Sequence, residues 1–142
     1  MRINLKFSGR SNVSYAIFFI SFLQITAAYS EPILKCEVSY AGKKEILTSG
    51  ITHDPYKVEP FNISDRFYFK MVLTAKQDTL YRVIIYVYAA NKVRPTLLQE
   101  AKYFAPYQIT TEPYLLTGEQ KIYSLPTERE LIYSCWLGGV TK

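Results

Sequence analysis

Between Arg66 and Tyr88 the chain runs through two stretches rich in large apolar residues, parted by the polar tetrad Lys76-Gln77-Asp78-Thr79. In the first, Phe67, Phe69, Met71 and Leu73 share one parity, and Tyr68, Lys70, Val72 and Thr74 the other. A period of two marks a strand with one buried face, because successive side chains of an extended chain point in opposite directions. The second stretch, Leu-Tyr-Arg-Val-Ile-Ile-Tyr-Val-Tyr over residues 80–88, is β-branched or aromatic at nearly every position. So short a run is a poor helix, and β-branched side chains lose rotamer freedom in one. It reads as a central strand covered on both faces.

The same alternation recurs at both ends of the chain. Leu34, Cys36, Val38 and Tyr40 form one face of a first strand, which returns through Ala41-Gly42-Lys43-Lys44 into a second, Glu45–Thr48. Near the C-terminus, Glu119–Leu125 and a turn at Pro126-Thr127-Glu128 lead into Arg129–Leu137, with Leu131, Tyr133, Cys135 and Leu137 on one face. Thr96–Tyr103 reads as a further strand with Leu98 and Ala101 inward. Residues 49–65 and 104–118 hold Gly50, Pro55, Pro60, Pro106 and Pro113 and read as connections, the first with a short extended piece at Tyr56-Lys57-Val58. Proline cannot donate to a ladder, so regular pairing is not expected there. No stretch shows a helical period. About six or seven strands joined by turns predict an all-β domain, either an antiparallel β-sandwich or an open barrel.

Within that class the specific expectation is an Ig-like sandwich. Tyr133 lies two residues before Cys135, the spacing of the tyrosine corner beside the second cysteine of immunoglobulin domains. Trp136, adjoining that cysteine instead of lying on a middle strand, departs from the pattern.

The chain has two cysteines, Cys36 and Cys135, neither in a C-x-x-C pair, and one histidine. Redox and zinc chemistry therefore lack their usual donors, and a single structural disulfide is the expectation. Both cysteines carry the inward parity of their strands, so the bridge should be buried and join the first strand to the last. In the chain-entropy model a loop of about 100 residues is stabilised by about 4.7 kcal/mol.

Residues 1–30 carry a basic start (Arg2, Lys6, Arg10), a short apolar run over Tyr15–Thr26, and a small-residue exit ending at Ala28 and Ser30. This is the pattern of a secretory signal peptide, leaving residues 31–142 as a single domain. The apolar run, interrupted by Ser21, Gln24 and Thr26, is too short for a membrane span, so no stable membrane anchor is expected after cleavage. An exported protein of the bacterial periplasm or the extracellular space follows. The sequon Asn62-Ile63-Ser64 bears on this only in a eukaryotic source.

Arg2, Lys6 and Arg10 account for part of the formal charge of +5, and the remainder of the chain is close to neutral. Lys43-Lys44, the adjacent basic pair beyond them, is no stripe, so nucleic acid is not expected as a partner. No Gly-rich phosphate loop or G-x-S-x-G element is present, and no catalytic, metal or cofactor site is assigned. His53-Asp54 is the starting point for any enzymatic or metal-binding alternative, and Glu128 with Glu130 is the nearest approach to a carboxylate pair.

The one compositional excess is aromatic, with 13 tyrosines in the chain. Tyrosine offers a rigid ring and a hydroxyl at low entropic cost, which suits recognition surfaces. Tyr86, Tyr88, Tyr103, Tyr107 and Tyr114 are the candidate binding surface, on the second long strand and in the proline-interrupted segment. The leading expectation is a non-enzymatic binding or structural module for a protein or envelope component. A small-ligand carrier with an aromatic-lined cavity is the further alternative, and the sequence leaves partner and oligomeric state open.

Overall fold

The computed structural model describes residues 30–141, so the signal-peptide expectation, apart from Ser30, lies outside the described residues. Nine strands follow one another: β1 (Ile33–Tyr40), β2 (Lys43–Thr52), β3 (Phe61–Ile63), β4 (Phe67–Lys76), β5 (Thr79–Ala89), β6 (Thr96–Phe104), β7 (Tyr114–Leu115), β8 (Gln120–Ser124) and β9 (Arg129–Gly138). They form one sheet in the order β6-β5-β4-β2-β1-β9-β7, with β3 on the flank of β4 and β8 on the flank of β9. The sheet curls into a half-barrel that stays open between β6 and β8. Of the two architectures expected, the open barrel is the one realised.

Three tight hairpins drive the early topology. Ala41 with Gly42 and Gln77 with Asp78 have positive φ, the signature of two-residue turns whose twist matches that of the flanking strands, and Ser64 with Asp65 have it too in the three-residue β3–β4 connection, where Arg66 N–H donates to the Ile63 carbonyl at 3.0 Å. In the second hairpin the Asn62 side chain accepts from the Asp65 backbone N–H at 2.9 Å and donates to its carboxylate at 2.6 Å. Strand β3 sits in the stretch read as a connection, where Phe61 and Ile63 already alternate ahead of a Ser-Asp turn.

Strand β2 joins the two halves of the sheet. Lys43–Gly50 pairs with β1, after which Ile51 and Thr52 run parallel to Leu73 and Thr74 of β4. The Ser49 hydroxyl donates to the Met71 carbonyl at 3.3 Å, reinforcing this short join. On the far side, β7 and β8 lie along one flank of β9 as an interrupted strand. At the interruption Leu116 N–H donates to the Cys135 carbonyl at 2.8 Å, and the Thr117 hydroxyl accepts from Cys135 N–H at 3.0 Å.

The concave side holds the core. Leu34, Cys36, Phe67, Phe69, Met71, Leu73, Val83, Ile85, Val87, Leu131, Cys135 and Leu137 are fully shielded from solvent, so the inward parity read from the sequence holds in β1, β4 and β9, and β5 turns Val83, Ile85 and Val87 inward. Edge-to-face ring pairs stitch the walls together, Phe69 to Tyr133 at 5.0 Å and Tyr40 to Phe67 at 5.4 Å.

Cys36 and Cys135 form the expected buried disulfide between the first and last strands. Its position differs from that in an immunoglobulin domain, where the bridge spans two sheets. Here the two residues are direct partners on neighbouring antiparallel strands. The Cys135 N–H and carbonyl face Thr117 and Leu116, away from β1, so this is a non-hydrogen-bonded pair, the kind whose Cα atoms approach most closely; they lie 4.1 Å apart. Tyr133 also differs from a tyrosine corner, since its hydroxyl donates to the Gln99 side chain at 2.6 Å instead of to nearby backbone.

The chain enters β1 by crossing the end of β9. Gly139 has φ +73°, and a Cβ built there would lie 2.3 Å from the Glu31 carbonyl oxygen. Only glycine satisfies both conditions.

Candidate functional site

The five tyrosines singled out from the sequence divide into two groups. Tyr103, Tyr107 and Tyr114 pack against the core at the open side of the barrel. Tyr107 carries a structural bond: its hydroxyl accepts from Val83 N–H at 3.0 Å and donates to the Tyr103 carbonyl at 2.5 Å. Val83 and Tyr103 are register partners, so the hydroxyl is interposed in the β5–β6 ladder. The Tyr133 hydroxyl reaches Gln99 of β6, and Gln99 reaches Gln120 of β8 at 3.5 Å. Side chains thus close the gap that backbone pairing leaves.

Burial pushes the Tyr107 hydroxyl from 10.0 up to about 12. Below pH 10 it is protonated in both folded and unfolded chains, and its bond to Tyr103 is intact. Between about pH 10 and 12 the unfolded chain releases this proton before the folded one does, so stability falls as pH rises. Tyr107→Phe is expected to be less stable than wild type at pH 8 by about 1 kcal/mol. Urea titrations of both proteins at pH 8 and pH 11 should show that difference shrinking, and a constant difference would contradict the role given to the hydroxyl.

Tyr86 and Tyr88 belong elsewhere, on the convex side of β5. Their rings stack at 6.1 Å and 22°. Cross-strand partners build the rest of this face: Tyr68 opposite Tyr88, Lys70 opposite Tyr86, Val72 opposite Ile84 on β4, and Glu100 opposite Tyr86 and Lys102 opposite Ile84 on β6. Burial raises the Tyr86 and Tyr88 hydroxyls above their ordinary range, with the Glu100 carboxylate adding to it.

A recess of about 360 Å³ opens on this face, floored by Val72 and Ile84 and rimmed by Lys70, Arg82, Tyr86 and Lys102, with Tyr56 of the β2–β3 connection at its edge. Val72 and Ile84 are 2% and 4% exposed although they point away from the core. The nearly continuous β-branched and aromatic run over residues 80–88 led to the expectation of a strand covered on both faces. Among the described residues no second sheet lies over this face, and the recess is lined instead by the neighbouring long side chains Lys70, Arg82, Tyr86 and Lys102 together with Pro55 and Tyr56. Lys102 pairs with Glu100 at 3.0 Å. Lys70 and Arg82 take part in no ion pair among the described residues, and Arg82 Nε is buried without a hydrogen-bond partner. Sequence reasoning missed Tyr68, Lys70, Arg82 and Lys102, although Arg82 shares the parity of Tyr86 and Tyr88.

The other candidates come to less. His53 is exposed on the wall of an open hollow of about 540 Å³ at one end of the barrel. Its neighbour Asp54 shapes the local turn, accepting from Tyr56 N–H at 3.0 Å and pairing with Lys57 at 3.6 Å. Glu130 accepts from the Tyr123 hydroxyl at 2.5 Å, whereas Glu128 sits in the β8–β9 turn. Lys43 and Lys44 pair with Glu45 and Glu37 respectively. Among the described residues, no three His, Cys, Asp or Glu side chains gather into a metal site.

Fold and site together define an all-β open barrel, tied by a disulfide between its first and last strands, with an aromatic and cationic convex face. Comparison with family models, with curated proteins and with solved structures gives no match.

Proposed function

We propose that this chain is an exported, non-enzymatic binding module that holds a protein or envelope component on the convex face of β4, β5 and β6. The observation that carries this reading is the gathering of Tyr68, Tyr86 and Tyr88 with Lys70 and Arg82, which make no ion pair among the described residues, on a face bordered by Pro55 and Tyr56 of the β2–β3 connection. Tyrosine and arginine are the residue types enriched at the energetic centres of protein interfaces. The signal-like N-terminus supports export to the periplasm or beyond. So does the buried disulfide, which fits an oxidising compartment outside the cytoplasm. No helix of the described residues is long and apolar enough to cross a membrane. The carrier alternative gains little support, because Phe69, Tyr133, Tyr40 and Phe67 pack against one another between the walls.

The test is site-specific crosslinking in the native envelope, with a photoreactive side chain placed at Tyr68 and any crosslinked partner identified by mass. The crosslink should disappear in the double variant Tyr86→Ala/Tyr88→Ala and persist in His53→Ala. Loss with His53→Ala, or persistence in the tyrosine variant, would overturn the assignment of the face.

A further inference from the structure

Building on the binding-module reading, we infer that the partner presents an acidic, extended polypeptide segment whose carboxylates seat on Arg82 and Lys70. The rim supplies donors far more than acceptors. Arg82 and Lys70 make no ion pair among the described residues, Lys102 is shared with Glu100, and the tyrosine hydroxyls can donate. Arg82 Nε is the most telling atom, because a buried guanidinium N–H without an acceptor is costly. A carboxylate laid against it would supply the missing acceptor in the bidentate geometry that arginine favours.

Spacing favours a peptide over a single small anion. Lys70 lies opposite Tyr86, four residues along β5 from Arg82. At about 3.4 Å per residue the two positions are about 14 Å apart along the strand. That is the separation of two acidic side chains four residues apart on an extended chain, which point to the same side. Val72 and Ile84 lie between the two cations, so no charged side chain of β4 or β5 interrupts the stretch of this face that such a segment would cross.

The test uses fluorescence anisotropy with the purified protein and a labelled peptide of alternating Glu and Ser, beside its Gln-Ser analogue, inorganic phosphate and polygalacturonate. The Glu peptide should bind at least tenfold more tightly than the Gln peptide. Lys70→Gln and Arg82→Gln should each weaken it about tenfold. Lys121→Gln, on β8 away from the recess, should leave it unchanged. Lys70 is half-exposed, so that variant keeps the test valid even if Arg82→Gln fails to fold. Equal binding of the two peptides, equal weakening by Lys121→Gln, or binding of phosphate or polygalacturonate through these cations without the Glu peptide would each overturn the inference. A crosslink lost with the tyrosine variant but indifferent to Arg82 and Lys70 would sink the acidic segment and leave the binding face standing.

Discussion

Changing both Cys36 and Cys135 to serine is expected to lower the unfolding free energy by about 2–5 kcal/mol. The bridge joins residues 99 positions apart, so its removal frees the unfolded chain from a very large loop constraint. A second cost adds to this. Both positions are fully buried, and the facing pair exchanges no backbone hydrogen bonds across β1 and β9. Two serine hydroxyls would enter an apolar layer lined by Leu34, Val38, Tyr133 and Leu137. Urea unfolding of the oxidised wild type and the double variant measures the difference, and a loss below about 1 kcal/mol would contradict the argument. Free-thiol titration of the unfolded, unreduced protein should find no reactive thiol.

Phe69→Ala should cost about as much, on the order of 3–5 kcal/mol. Phe69, the third residue of β4, is fully buried between its register partners Phe61 and Val87. Its ring meets Tyr133 edge-on across the barrel. Removing it leaves a cavity that close-packed walls fill only in part, and it also unseats the ring that carries the hydroxyl bonded to Gln99. The damage should therefore spread to the β6–β8 opening. Hydrogen exchange at the amides of residues 97–103 should accelerate in this variant more than in Val72→Ala, which shortens a residue on the convex side. Against a typical domain stability of 5–15 kcal/mol, either substitution removes a large share.

Strands β1, β4 and β9 were legible because their apolar residues alternate, and β5 because it is β-branched or aromatic almost throughout. Parity in β1, β4 and β9 is a local property of an extended backbone, and it placed Cys36 and Cys135 correctly on the inside. Parity gives a face but no partner, so nothing in it distinguishes a bridge across two sheets from a bridge between neighbours. That choice depends on long-range pairing, here the return of β9 beside β1. Strands β3 and β7 escaped detection for a different reason. Each is so short that its two or three residues gain order from a neighbour already in place. The tyrosines show the same limit. Tyr86, Tyr103 and Tyr107 look alike in the sequence, and only the curl of the sheet turns the first outward and the other two into the gap. Arg82 was readable as a strand residue, whereas its unmet Nε depends on a floor and rim brought together from three strands.

The junction of the first and last strands has a mechanical consequence. A protein gripped at its two ends transmits tension along the shortest covalent path, and in this chain that path leaves β1 at Cys36 and enters β9 at Cys135. The residues enclosed between them lie off the load line. Stretching would load the chain outside the bridge and leave the enclosed strands unextended, as a spliced rope leaves its loop slack. Under reducing conditions the same pull would run through every strand in turn.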